Sequence, residues 1–367
     1  MKVLETTELP LADYQNLAAE ELSARIAAAK RTLGDRVLVL GHNYQRDEVI
    51  EHADLRGDSL MLSKLAAEHA EHPNIIFCGV HFMAETADIL SRSQQTVILP
   101  DLAAGCSMAD MAAIEQVEHC WETLGRILPV EDAVMPAVYV NSAAVLKAFC
   151  GEHGGITCTS SNARAVIDWG WARREKILFF PDEHLGRNTA NKMGIPRDQM
   201  IVWDPNMPKG GNTVEAIKRA RLILWKGHCS VHQMFQPAHV DYFRKQYPDG
   251  KVIVHPECHE NVVNKADLVG STEFIIKTVS AAPAGTTWAV GTELNLVNRL
   301  KRLQHDKRVF FLSSTVCQCA TMFRIDAPHL CWAIENLAEG HVVNRIVVPD
   351  DEKTWAKIAL DRMMAVS

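Results

Sequence analysis

The 367-residue chain is 47% hydrophobic and 23% charged, the makeup of an ordinary globular protein long enough for two or three domains. Its net charge of −7, with no lysine or arginine cluster, argues against nucleic acid or an acidic membrane as partner. There is no early basic-then-apolar segment and no apolar run near the roughly 18 residues of a spanning helix, so a cytoplasmic chain is expected, its ten cysteines reduced and available as thiolates.

Residues 11–32 read as an alanine-rich amphipathic helix ended near Gly34. Val37-Leu38-Val39-Leu40 is then a short apolar strand that delivers Gly41-His42-Asn43-Tyr44 at its end. A hydroxyl follows at Ser59, a helical pattern at 60–71, a further strand within 74–85, and VILPD leading to Cys106. The same succession returns twice. Ala137-Val138-Tyr139-Val140 runs into Asn141-Ser142, followed by a helix at 143–150, Ser160, the strand of 176–184, a helical pattern at 213–224 and LILWKG leading to Cys229. Val252-Ile253-Val254 stops at His255-Pro256-Glu257, where proline cannot continue a central ladder, and is followed by Thr272, the strand of 286–294 and VFFLSS leading to Cys319. The tail holds a helix at 330–337, a turn at Gly340, a strand at 345–348 and a helix at 352–364.

The spacing carries the repeat. His42 precedes Ser59 by 17 residues and Cys106 by 64, and His255 precedes Thr272 by 17 and Cys319 by 64. Tyr139 precedes Ser160 by 21 and Cys229 by 90, so the middle copy holds about 26 extra residues, assigned to a Pro/Gly/Asn-rich loop near 191–211. Strands alternating with helices imply parallel βαβ units. The expected fold is α/β: three repeated αβα domains around a pseudo-threefold axis, with a central active site. The domains are 1–122 with the N-terminal helix, 123–243 with the insertion, and 244–367 with the C-terminal helix. No phosphate-loop or GxGxxG signature is present, which removes the common nucleotide-binding explanations of such a sheet.

One cysteine per repeat gives a trio, Cys106, Cys229 and Cys319. Three soft thiolates suit an iron–sulfur cluster or zinc, and zinc usually draws on closely spaced cysteine pairs. Three thiolates on a cubane leave one iron open as a Lewis acid. Cys317, two residues before Cys319, is a neighbouring or redox-active candidate. A carboxylate beside an imidazole at a strand end, as in His255 and Glu257, is acid/base equipment. Hydroxyls near backbone N–H groups, as at Ser59, Ser160 and Thr272, suit carboxylate or phosphate oxygens, and such serines also cap helices. Tyr139 and Asn141 supply neutral hydrogen bonds. His228 and His232 flank Cys229 and read as its hydrogen-bonding neighbours.

With GHNYQ, GDSL, LPDLAAGCSM, VYVNS, CTSSNA, WKGHCSVH, HPEC, GST and CATM in order over nearly the whole length, the chain resembles the quinolinate synthase family, the A proteins of NAD biosynthesis. The resemblance implies condensation of iminoaspartate with dihydroxyacetone phosphate to quinolinate, phosphate and water. It implies an oxygen-sensitive [4Fe–4S] cluster on Cys106, Cys229 and Cys319. It makes Glu257, His255 and Tyr44 catalytic, Tyr44 as proton donor in the triose steps, and His42, Ser59, Tyr139, Asn141, Ser160, His255, Glu257 and Thr272 substrate-binding. The partners are then small molecules and the enzyme supplying iminoaspartate, with no nucleic acid and no membrane. The rival readings are an iron–sulfur sensor or electron carrier, and a zinc-dependent lyase or aldolase.

Overall fold

The computed structural model describes residues 8–316 and 318–366, apart from the side chains of Leu60 and Ser63. Its strands are β1 (Val37–His42), β2 (Leu55–Gly57), β3 (Asn74–Cys78), β4 (Thr96–Ile98), β5 (Val134–Tyr139), β6 (Ile156–Cys158), β7 (Lys176–Phe180), β8 (Met200–Trp203), β9 (Leu222–Trp225), β10 (Lys251–Val254), β11 (Leu268–Val269), β12 (Thr287–Gly291), β13 (Arg308–Phe311) and β14 (Arg345–Ile346). They form three sheets, ordered β14-β4-β3-β1-β2, β6-β5-β7-β9-β8 and β11-β10-β12-β13. Every pairing is parallel except β14 with β4. The first four strands of the first sheet, β5, β6, β7 and β9 of the second, and β10 to β13 of the third follow one order: second, first, third, fourth. The α/β class that the sequence spacing implies is thus present, with one strand order common to the three sheets. The central strands are buried on both faces, as crossover helices require, and read as unbroken apolar runs.

Two compact units contain these sheets. One comprises Met1–Cys106 and Cys319–Val348 and holds the first sheet. In it, helix Ala19–Leu33 packs on helix Ala327–Ala338, tied by Arg25 to Glu335 (2.9 and 2.5 Å) and by the Tyr14 hydroxyl donating to Glu335 at 2.7 Å. The continuous helix expected over 11–32 is broken. A turn at Leu11–Asp13 precedes it, because Tyr14 is drawn inward, 1% exposed, to reach that carboxylate. Gly34 ends the helix at φ 54°, where glycine is tolerated best.

The other unit comprises Ser107–Gln318 and Pro349–Ser367 and holds the second and third sheets. The loop expected over 191–211 contains an added edge strand instead. Met-Ile-Val-Trp (β8) pairs parallel to β9, held by Trp203 buried in the core beside Trp121, Phe180 and Trp225. β-Branched and aromatic residues make these four a strand despite the loop-like flanks. The helix expected over 213–224 stops at Arg219, because Leu222–Trp225 is taken into the sheet as β9. The tail leaves the third sheet altogether. Arg345–Ile346 completes the first sheet, and helix Asp350–Val366 packs on helix Ala144–Glu152 beside the second. Gly151 permits that approach: a Cβ there would lie 1.9 Å from the Trp355 carbonyl oxygen, and Arg362 donates to the carbonyls of Gly151 and Gly155 at 3.3 and 2.7 Å. Among the described residues no helix is long and apolar enough to cross a membrane.

Candidate active site

β10 ends in a turn made by its own polar residues. The Cys258 N–H donates to the His255 carbonyl at 3.0 Å, and the Glu257 N–H donates to His255 Nδ1 at 3.3 Å. An imidazole nitrogen that accepts an N–H carries no proton, so Nε2 is the protonated nitrogen of a neutral ring. Burial agrees, pushing His255 down to about 3 against the opposing pull of Glu257.

Glu257, 2% exposed, is the centre of a closed network. The Tyr139 hydroxyl, from the end of β5, donates to Oε1 at 2.6 Å, and His232 Nδ1 lies 2.8 Å from Oε2. His232, in helix Ser230–Gln233 after β9, also meets the Thr292 hydroxyl after β12 through Nε2 at 3.1 Å and stacks on His255 with centroids 4.5 Å apart. Burial by itself would raise the Glu257 carboxyl. The hydrogen bonds from His232 and Tyr139 favour the charged form instead, and the group lies below the usual carboxylate range. Asp182, after β7, is wholly buried and goes the other way: burial first, then the Glu257 charge, push it well above the carboxylate range. One oxygen of Asp182 accepts the Leu185 N–H at 2.5 Å, while Oδ2 has no partner among the described residues. Two buried carboxyls are thus separated into one anion and one acid, the arrangement acid/base chemistry needs.

Asn188 fixes the loop between them. Its amide donates to the carbonyls of Pro256 and Cys258, both at 2.8 Å, one on either side of Glu257. Neither Asp182, Thr292 nor Asn188 is singled out by the sequence reading. The signal for the first was its place at a third strand end, in PDEH.

The remaining expected residues fall as follows. Thr272 is buried at the first position of helix Thr272–Ala281, whose cap is Ser271, and Ser59 occupies the same position in helix Ser59–Glu68, capped by Asp58. Ser160 departs from that pattern, lying in the turn before helix Ala163–Trp171. Asn141 is half-buried with its Oδ1 unpartnered among the described residues. His42 and Tyr44 end β1 in the other unit, in a turn built like that of His255: the Tyr44 N–H donates to His42 Nδ1 at 3.1 Å and the Gln45 N–H to the His42 carbonyl at 2.9 Å. Each of the two turns is backed by an aspartate twelve residues after its histidine. Asp54 accepts from the Val39 N–H (2.8 Å) and Asp267 from the Val252 N–H (2.7 Å). The shared tripeptide Ala-Asp-Leu at 53–55 and 266–268 was the sequence sign of it.

The cysteines divide into two groups. Cys78, Cys120, Cys150, Cys158, Cys258 and Cys331 are buried, and burial raises all six thiols. Cys106, Cys229 and Cys319 are the three described cysteines that reach solvent, and none of the nine forms a disulfide. Ligand atoms of Cys229, His232 and Glu257 lie within 4.8 Å of one another. Cys317 lies outside the described residues.

The family model "NadA: Quinolinate synthetase A protein" matches residues 24–365. The chain is 56% identical to the quinolinate synthase of Rhodopirellula baltica, over 97% of this chain and 94% of that one. It is 57% identical to those of Herpetosiphon aurantiacus (97% and 95%) and Acidobacterium capsulatum (99% and 98%). With the match running through the strand-end histidines, the buried carboxylate and Cys106, Cys229 and Cys319, the chain belongs to the quinolinate synthase family.

Proposed function

We propose that the chain is itself a quinolinate synthase of the cytoplasm, condensing iminoaspartate with dihydroxyacetone phosphate to give quinolinate, phosphate and water. The observation that carries the reading is the buried, ionised Glu257 held between Tyr139 and His232 and next to a neutral His255. Condensation, dehydration and ring closure each move protons, and this network offers an acceptor (Glu257) and a donor (His255 Nε2) in one water-poor place. Tyr44 is assigned the proton donation in the triose steps. Thr272 and Ser59, at helix N-termini, and Ser160, Asn141, Tyr139 and His42 bind carboxylate and phosphate oxygens. The shared strand order supports three αβα repeats around a pseudo-threefold axis, with the strand and helix of 345–366 serving the first and second sheets and not the third.

Cys106, Cys229 and Cys319 fit a [4Fe–4S] cluster by donor type and by being the solvent-reaching thiols among the described residues. Bound there, the cluster would supply an open iron as Lewis acid. The Cys229–His232–Glu257 grouping favours zinc chemistry as a second reading. Against it, both ring nitrogens of His232 already have partners in Glu257 and Thr292. Anaerobic purification followed by metal and sulfide analysis and a quinolinate assay tests the reading. About four irons with matching sulfide and quinolinate formed from the two substrates support it. Stoichiometric zinc without sulfide would establish the lyase or aldolase, and a full cluster without turnover would establish a sensor or electron carrier.

A further inference from the structure

Helix Ser59–Glu68 ends at His69, and the turn leading into β3 reads His-Ala-Glu-His. Three potential metal-binding side chains, His69, Glu71 and His72, meet there with ligand atoms within 4.8 Å of one another. His69 Nδ1 lies 2.8 Å and His72 Nε2 3.5 Å from the same oxygen, Glu71 Oε1. A tetrahedral ion with bonds of about 2.0–2.1 Å spaces its ligand atoms roughly 3.3–3.4 Å apart, so the His72–Glu71 pair already has that separation.

The turn is built to hold this arrangement. His72 Nδ1 lies 2.8 Å from the Asp35 carbonyl oxygen, which can only accept, so Nδ1 carries the proton and the lone pair of Nε2 faces Glu71. Metal-bound histidines are commonly oriented by such a bond from the other ring nitrogen. Underneath, Gln95 is 4% exposed and donates its amide to the carbonyls of both His69 (3.2 Å) and His72 (3.0 Å), while its oxygen accepts the Arg92 N–H at 3.0 Å. The backbone at each imidazole is thereby fixed by one buried side chain.

We propose that His69, Glu71 and His72 form a surface site for a divalent cation of the zinc class, with water as fourth ligand. Two imidazoles and one carboxylate match that class, whereas calcium and magnesium prefer oxygen donors throughout. The ion would clip the turn before β3 to the turn at Asp35 before β1, making it a structural site independent of the proposed reaction.

Cobalt(II) titration of untagged protein, its reactive thiols first occupied by anaerobic cluster assembly, reads the site by visible absorption. The expected result is one equivalent bound with nitrogen/oxygen-type bands and no thiolate charge transfer. The double variant His69→Ala/His72→Ala should lose that equivalent, and Gln95→Ala should bind about tenfold more weakly. Zinc should raise the melting temperature of the unaltered protein and not of the double variant. If the double variant does not fold, His72→Gln alone gives the same reading. Unchanged cobalt binding in the histidine variants, or bound cobalt showing only thiolate charge transfer, would overturn the assignment.

Discussion

The turns that end β1 and β10 use one backbone for two chemistries. Each has a histidine whose Nδ1 accepts the N–H two residues on and whose carbonyl accepts the N–H three residues on, and each is backed by an aspartate on the strand's own amide. Even the cation beside that aspartate recurs, Lys30 at 2.6 Å from Asp54 and Arg244 at 3.3 Å from Asp267. What differs is the residue two places after the histidine: the half-buried Tyr44 in one, the fully enclosed Glu257 in the other. A repeated scaffold fixes where a side chain starts. The neighbours that close around it decide what it can do.

The comparison can be broken at several points. The largest effect is expected from the thiols. Cys106→Ser, Cys229→Ser or Cys319→Ser should abolish cluster content and turnover, whereas Cys120→Ser, buried in the core, should retain both, as iron and sulfide analysis will show. Next, Glu257→Gln should keep the fold and metal content but lower kcat by about 10²–10⁴, the usual worth of a positioned acid or base. If KM and kcat suffer equally, Glu257 positions substrate instead. The equivalent change at Tyr44, Tyr44→Phe, should leave the Glu257 network intact. Asn188→Ala removes both clamps on the Glu257 loop and should reduce kcat by up to roughly 10²-fold, the cost of misplacing a reacting group by about 1 Å, with a smaller change in stability.

Smaller effects test the scaffold itself. Asp54→Ala and Asp267→Ala each deprive a buried strand amide of its partner and should cost about 1–3 kcal/mol in denaturant unfolding. Similar costs would mark one device used twice. Last comes pH. Burial lowers folded-state His255 from 6.5 to about 3, so the unfolded chain takes up this proton first as pH falls. The contribution of His255 to stability is therefore complete above about pH 6.5 and disappears as pH drops toward 3. His255→Asn should flatten the stability profile in that window, with Glu257 and His232 the charged and titratable groups that face it.

What the sequence disclosed was whatever repeats or lies close along the chain. The strand ends of all three sheets, and the helix-start hydroxyls Ser59 and Thr272, were legible because each is a local pattern repeated along the chain, whereas Ser160 falls in a turn. Asn188 and Thr292 were not, since an asparagine inside a helix and a threonine after a strand gain their meaning only from partners 60 or more residues away, at 256, 258 and 232. Asp182 was hidden for a related reason: its acidity depends on burial and on Glu257, neither of which is a property of its own segment. The strand β8 was obscured by composition, its four residues outvoted by the prolines and glycines around them.

The placement of the last helix has a consequence for how the protein is made. The ribosome releases the second sheet's strands long before Asp350–Val366, yet that helix contributes Ala359 to the core under the sheet and lays its backbone against Gly151. The first sheet likewise waits for Arg345–Ile346 to cover β4. Each of these two sheets therefore lacks one covering element until the chain has passed residue 345. A chain ending before residue 345 would leave the β4 edge and the Gly151 face without these partners.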